Sequence, residues 1–438
     1  MTRQLIFNTV VQHRTPAGWL HPDAPDSAAE LDINSYIRTA QLAEEAKFHS
    51  IFLADTLYVS DYLSVAPPLT LEPLVTLGAV ASHTEHIGLI ATVTTSFYPP
   101  YHIARLFNSL DHISRGRAGW NIVTSAQDAE AKAFGLDALP DHEARYEQAG
   151  HFVDAVLHLS HTWEPDALVR DRATGLYADL SKIDFSTAQF GPYKLGAPLD
   201  IPPSPQGHPV LVQAGRSASG IHFAGKYAEV VFSAVATISE AVTFRQQIRD
   251  AAARAGRNPD AVNIVPILGA HVGSTEEEAR RTFEETERAS SPRYAAVIIS
   301  SYTGHDFGPD PHWDSPVPRL PDVAFNGQQG RYDKLRKLVD DGYDTLGKLQ
   351  RVFTASRGGN LVVGTPEQIT GVVEEWFHAG AVDGFSVSSS LLPGGLADFT
   401  REVIPLLQQK GLFREDYPEQ ESTFREDLRI TSGQLAQA

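Results

Sequence analysis

Residues 101–124 read YHIARLFNSLDHISRGRAGWNIVT, and the fold is read outward from them. Tyr101–Ser114 carries helical patterning, Gly119–Thr124 is a short apolar run of strand type, and Glu143–Leu159 is helical again. A buried-type strand set between two amphipathic helices belongs in a parallel sheet, because the crossover helices cover the sheet faces.

The same alternation runs through the chain. Further strand candidates are Leu5–Val11, Ser50–Asp55, Ile87–Thr94, Pro209–Gly215, Glu229–Val235, Asn263–Ala270 and Gly384–Ser388. Helical patterning marks Ile33–Lys47, with Ile33, Ile37, Ala40 and Leu42 on helical spacing, and also Glu72–Thr84, Ile238–Ala255, Glu276–Ala289, Pro366–Ala379 and Asp398–Lys410. Thr275 and Glu278 form a candidate capping box. Together with Gly119–Thr124 the strand candidates number eight, which is the number that closes an α/β barrel. The predicted fold class is α/β, a (β/α)8 TIM barrel. A doubly wound open sheet is the competing fold, but it carries a Gly-rich phosphate turn after its first strand, and here the first strand runs into Gln12-His-Arg-Thr-Pro16.

Two stretches break the alternation: 164–208, rich in Asp, Pro, Gly and Thr, and 291–357, rich in Pro, Gly and Asp with a helical stretch near Tyr332–Asp340. Long loops on a barrel are commonly functional lids. Both read as insertions into a single barrel domain covering 1–438, followed by an acidic tail from about 411 to 438 that reads as a surface arm. No internal repeat or low-complexity tract is present.

Bulk composition narrows the function classes. The 438 residues are 42% hydrophobic with a formal net charge of −18, so a large core is available while nucleic acid and anionic membranes are disfavoured partners. There are no cysteines, which excludes disulfides, zinc–thiolate and iron–sulfur sites and a cysteine nucleophile. Met1–Val11 lacks the pattern of a signal peptide and no run reaches a membrane-spanning length, so the expected location is cytoplasmic.

Active sites on this fold lie at the C-terminal ends of the strands. Those ends here are rich in hydroxyls, amides and small residues, as in Thr92–Ser96, Asn121–Ser125 and Ser386–Ser390. Such a rim suits a large, planar, hydrogen-bonding cofactor better than a divalent metal, which needs converging carboxylates or imidazoles. Each Ser or Thr taken singly is an ordinary cap or turn residue. Gln213-Ala-Gly-Arg-Ser-Ala-Ser219 follows a strand and opens a helix. Backbone N–H groups near Gly215, the Ser217 hydroxyl and the Arg216 cation could take a phosphate there; an ordinary N-capped helix start is the alternative. Gly220–Tyr227 has P-loop spacing, but Tyr227 stands where Ser or Thr is required, inside a helical run. The 17 histidines raise the possibility of a metal-dependent barrel hydrolase, although no His-x-His pair follows a strand, and His83 and His86 precede one. Gly-x-Ser-x-Gly is missing, as is a dinucleotide-binding Gly-x-Gly-x-x-Gly.

The strand ends together resemble the bacterial-luciferase-like flavin monooxygenases, in the branch with nitrilotriacetate, dibenzothiophene-sulfone and long-chain alkane monooxygenases. The matching stretches include Phe52-Leu-Ala-Asp-Thr56, Ala91-Thr-Val-Thr-Thr-Ser96, Gly116-Arg-Ala-Gly-Trp-Asn-Ile-Val-Thr-Ser125, His142-Glu-Ala-Arg-Tyr146, Val212-Gln-Ala-Gly-Arg-Ser217 and Leu392-Pro-Gly-Gly-Leu-Ala-Asp-Phe399, in order along the chain. The resemblance implies an FMN site, used as FMNH2, with Asp55, Thr94 and Asn121 near the ring, His142 and Tyr146 on the ribityl-phosphate side, and Gly215 and Ser217 at the phosphate. Ala218 stands where relatives carry a second hydroxyl. His13 is implied as the first candidate proton donor and His305, beside Asp306 in the second insertion, as the next; a histidine suits proton transfer near neutral pH. The implied reaction takes O2 and a small organic substrate, with reduced flavin supplied by a separate NAD(P)H:FMN reductase, in a homodimer or homotetramer. A deazaflavin-dependent oxidoreductase of the same fold is the alternative within the class, and a non-catalytic flavin-binding protein another. Phe97, Tyr98, Trp163, Tyr302 and Trp313 are candidate substrate-pocket aromatics.

Overall fold

Strands with apolar residues on both faces need cover on both, and a closed sheet ringed by helices supplies it. The computed structural model describes residues 3–11, 17–24, 29–59, 61–67, 71–288, 290–323, 329–350, 353, 359–418 and 422–430. Its barrel strands are β1 (Ile6–Val10), β2 (Ser50–Leu53), β3 (Gly88–Thr94), β4 (Ala118–Val123), β5 (Val210–Gln213), β6 (Val230–Ser233), β7 (Asn263–Val272) and β8 (Gly384–Ser388). Each pairs in parallel with the next, and β1 closes on β8 through Ile6↔Gly384. All eight predicted strands are found. A further strand, Asn360–Gly364, was not expected; it pairs with the far half of β7, Leu268–Val272, outside the barrel.

The helices that matter below are α1 (Ile33–Glu45), α2 (Pro73–Ala81), α3 (Pro100–Ile113), α4 (His142–Ser160), α5 (Ala218–Tyr227), α6 (Ile238–Arg254), α7 (Glu276–Arg288), α8 (Pro292–Thr303) and α9 (Gln329–Asp340). Strand alternation sorts the side chains. On β4, Trp120 points outward into the helical layer, with its ring 5.4 Å from Phe107 on α3 and 6.1 Å from Phe152 on α4. Asn121 then points inward. Ile6, Ile90, Val210, Val212, Val230, Phe232 and Val265 form a separate apolar cluster within the barrel. Toward the C-terminal rim the interior turns polar: Asn8 bonds Ser50 at 3.0 Å and Ser386 at 2.6 Å, and Asn121 Nδ2 donates to Thr92 Oγ1 at 3.0 Å. That change of polarity marks the functional end. At the expected capping box before α7, Glu278 N donates to Thr275 Oγ1, but the Glu278 carboxylate accepts from Ser274 N rather than from Thr275.

The tail corrects a sequence expectation. Its described residues do not form a surface arm. Phe424 enters the barrel floor, where a Cβ on Gly88 would lie 2.5 Å from its ring. Beside it Arg425 Nε bonds Glu229 Oε1 at 2.7 Å, with both side chains 5% exposed or less. Leu412 and Phe413 are buried too. The tail's acidic residues suggested a solvated segment; the void left by two inward glycines, Gly88 and Gly119, decides otherwise, since an interior of native density admits no hole of that size.

The first insertion forms two antiparallel hairpins, Leu168–Asp171 with Leu176–Ala178 and Ala188–Phe190 with Tyr193–Leu195. The second carries α8 and α9 and has an apolar core of its own, built from residues including Tyr294, Ile299, Tyr332, Leu335 and Leu349, and joined by Val65 and Ala66 from the loop after β2.

Candidate active site

The rim after β5 is built around a helix start. Ser217 caps α5, its Oγ accepting from Gly220 N at 3.1 Å. Residues four apart on α4 share a face, so His142 and Tyr146 both reach this cap. His142 Nε2 lies 3.4 Å from Ser217 Oγ, and the two rings sit 5.0 Å apart. Gln213 Nε2 donates to the Tyr146 hydroxyl at 3.4 Å. Gly215 lets the backbone pass: a Cβ there would meet Gln213 Nε2 and stand 2.7 Å from the Tyr146 hydroxyl. Burial, with Arg145 nearby, lowers the His142 pKa and favours a neutral imidazole; burial raises the Tyr146 pKa and keeps its proton in place. A helix N-terminus, a hydroxyl, a phenol and an imidazole thus converge on one spot, a donor set that suits a phosphate monoester.

Next to it the ends of β2, β3 and β4 line a cavity of about 440 Å³ whose inner wall is Asp55, Thr92, Val93, Thr94, Tyr98 and Glu130, and which runs outward between α2 and α3. Thr94 Oγ1 lies 3.0 Å from Ser125 Oγ and accepts from Ser96 N at 3.2 Å. Ser125 has a left-handed backbone, φ 59°, a conformation that costs a non-glycine residue energy and recurs at functional sites. The Asp55 carboxyl accepts from Thr56 N at 2.8 Å. Burial pushes its pKa up to about 7, against the Thr56 hydrogen bond and helped by the nearby Glu72 and Glu130 carboxylates. Glu130 is pinned by the backbone: its Oε2 accepts from Ala126 N at 2.9 Å.

Asn121 Oδ1 and Gln213 Oε1, both buried at the strand ends of this rim, have no hydrogen-bond partner among the described residues. Orphaned buried acceptors are uncommon in native proteins and point to a missing donor. A ligand that carries hydroxyls or a ring N–H and ends in a phosphate fits the pair of features. The residues present therefore fit a flavin mononucleotide. Among the described residues no group of three His, Asp or Glu side chains could hold a metal ion.

The structure brings together Asp55, Thr94, Asn121, His142, Tyr146, Gly215 and Ser217 along four neighbouring strand ends. His13 lies outside the described residues. His305 sits on the second insertion, its ring 4.5 Å from Phe307, with its backbone oxygen accepting from Ser300 Oγ at 2.7 Å. Of the five pocket aromatics, Tyr98 lines the cavity; Trp163 donates Nε1 to Leu199 O at 2.8 Å within the first insertion, and Phe97 stacks on Phe134 at 4.5 Å. Sequence reasoning had not singled out Gln213, Ser125 or Glu130. Glu130 had a signal, standing three residues after Gln127 at a helix start in capping-box spacing.

Comparison with known proteins gives a consistent result. The family described as Luciferase-like monooxygenase matches residues 15–383. N-acetyl-S-(2-succino)cysteine monooxygenase of Bacillus subtilis (strain 168) is 36% identical over 415 residues, covering 94% of this chain and 93% of its own. Nitrilotriacetate monooxygenase component A of Aminobacter aminovorans is 36% identical over 426 residues, with 94% and 93% covered. A solved riboflavin lyase, with modified FMN and the substrate riboflavin, superposes with a TM-score of 0.87 at 29% identity, covering 98% of this chain and 96% of that one.

Proposed function

The chain belongs to the luciferase-like monooxygenase family, and we propose that it binds FMNH2 and uses O2 to oxygenate a small organic substrate. In the overall reaction one oxygen atom enters the substrate, the other leaves as water, and FMNH2 is converted to FMN. The observation that carries the cofactor assignment is the convergence of Ser217, His142 and Tyr146 on the N-terminus of α5. Bound reduced flavin supplies the electrons that activate oxygen.

The residues of the chain do the rest. Gly215, Ser217, His142 and Tyr146 hold the phosphate end. Asn121 Oδ1 accepts from the ligand, and Thr94 and Asp55 border the ring. The second insertion, with His305, stands as a lid that excludes water. Near pH 7 the Asp55 carboxyl is poised between its two forms, so it can hold or release a proton at Oδ2 in the cavity. His13 and His305 remain the proposed proton donors toward the substrate. A separate NAD(P)H:FMN reductase is the proposed source of FMNH2; the name of the nitrilotriacetate relative, a component A, supports a two-component system.

The test is rapid mixing of the protein, loaded anaerobically with FMNH2, against oxygenated buffer while flavin absorbance is recorded. An absorbing species that persists before oxidised FMN appears is the expected outcome. Reoxidation at the rate of free FMNH2 would defeat the reading, and preferential binding of a deazaflavin would move the chain to the hydride-transfer branch. Rapid NADH oxidation by the purified chain with FMN would defeat the separate reductase.

A further inference from the structure

The cavity of about 440 Å³ at the ends of β2, β3 and β4 does not stop at the rim; it continues along the seam between α2 and α3. On α3 its wall includes His102, Leu106, Ser109 and Ile113, which follow one another at helical spacing down one face. That stretch of helix spans roughly 16 Å at about 1.5 Å per residue, so the cavity is an elongated slot. The facing wall is Leu74, Val75 and Gly78 of α2. Val75 is 76% exposed and Ile113 58%, so the slot reaches solvent between apolar side chains.

Gly78 stands in the interior of α2, where glycine is destabilising relative to alanine. Nothing crowds it: a Cβ there would meet no described atom within 4 Å. The residue is half-buried and borders the slot. Gly225, inside α5, differs, because a Cβ on it would lie 2.5 Å from Ala251. Packing thus accounts for the glycine at 225 and not for the one at 78. A ligand body lying in the slot does account for it.

The inner end of the slot has acidic groups only. Asp55, Glu72 and Glu130 line it, and among the described residues no Lys or Arg does. Each carboxyl is held by a backbone N–H: Asp55 by Thr56 at 2.8 Å, Glu72 Oε2 by Val75 at 2.7 Å and Glu130 Oε2 by Ala126 at 2.9 Å. These bonds resist any swing that would clear the way for an anion. Helix α2 has no basic residue, and Arg105 of α3 is engaged outside the slot by Asp200, at 3.0 Å from its Nε. An anion would therefore meet carboxyl groups with no cation to offset them, which rejects it. An apolar body gains by leaving water, and an ammonium group gains from the negative field.

We propose that the slot between α2 and α3 seats the substrate, and that the substrate has an elongated apolar body and an uncharged or cationic head, not a carboxylate, phosphate or sulfonate. This rests on the oxygenase reading above and names its substrate class. The head lies at Asp55 and Thr94, beside the ring, and the body lies along α3 in the room that Gly78 leaves.

The experiment is isothermal titration of the full chain, without flavin, with 1-octanol, octylamine and octanoate at about pH 8, where the amine is protonated and the acid ionised. The parent is expected to bind octanol and octylamine, and octanoate about tenfold more weakly or worse. Gly78→Leu fills the slot from α2 and should weaken octanol and octylamine by about tenfold or more, with a Tm no lower than the parent's and an unchanged FMN affinity. Ser109→Leu narrows the slot from the opposite wall and should act in the same direction, which keeps the test independent of how one variant folds. Octanoate bound as tightly as octanol would overturn the charge selection. Octanol binding that both variants leave intact would overturn the slot, as would a change in sedimentation on filling it, which would assign the seam to a contact between copies of the chain. FMN titration runs in parallel. A parent that binds octanol in the slot but no FMN would defeat the flavin reading and leave the slot standing; FMN binding without octanol binding would do the reverse.

Discussion

Ser217 Oγ lies 3.4 Å from His142 Nε2 across 75 residues of chain. Ser217 caps the helix after β5 and His142 starts α4, the long helix between β4 and β5, so adjacent segments of the barrel put two helix beginnings side by side. The contact turns an ordinary helix cap into a cradle with donors on two sides.

Ser217→Ala removes the cap and, with it, the proposed phosphate donor. An N-cap loss costs about 1 kcal/mol of stability, to be read from urea unfolding. FMN affinity should fall by about tenfold or more, and riboflavin affinity much less. A variant that binds both flavins like the parent would remove Ser217 from the site.

Gly215→Ala probes the same cradle sterically. The added methyl would stand 2.7 Å from the Tyr146 hydroxyl, so Tyr146 and Gln213 must move. The expected cost is about 1–3 kcal/mol, with FMN binding weakened. Fluorescence titration with FMN checks it, and undiminished affinity would show that the loop tolerates a side chain.

Asp55 makes stability depend on pH. Its pKa is raised from 3.8 to about 7 in the folded protein, with burial the largest cause. Between those values the folded state binds more protons at this site than the unfolded state, so this contribution to stability is full below 3.8, declines as pH rises toward 7 and is flat above. Asp55→Asn should flatten that part of the profile and be relatively most stabilising above pH 7. Urea midpoints across the window decide it; parallel profiles for parent and variant would show that Asp55 is ionised throughout.

Phe424→Ala empties the barrel floor. Loss of a buried phenylalanine costs about 3–5 kcal/mol, and Gly88 and Gly119 offer no side chain to refill the space. The proposed flavin rim lies at the other end of the strands, so FMN affinity of the folded variant should stay within about twofold of the parent, given that distant sites act nearly additively. A stability unchanged by the substitution would mean that the tail does not plug the barrel in solution.

The barrel was legible in the order of residues alone. Its eight strands were legible because their burial is a local pattern: short β-branched runs alternating with amphipathic helices leave a parallel closed sheet as the arrangement that covers every apolar face. The seat of Ser217 at a helix start was legible for the same reason, since capping is a matter of neighbouring residues. Asn360–Gly364 was missed because its pairing partner is the far end of β7, some 90 residues earlier, and a strand outside the barrel lacks the two-sided burial that marks the others. The place of Phe424 in the floor, the reach of His142 to Ser217, and the clustering of Asp55 with Glu72 and Glu130 follow from the tertiary structure alone. Each depends on distance between segments far apart in the chain, and both desolvation and electrostatic interaction are set by that distance rather than by order along the sequence.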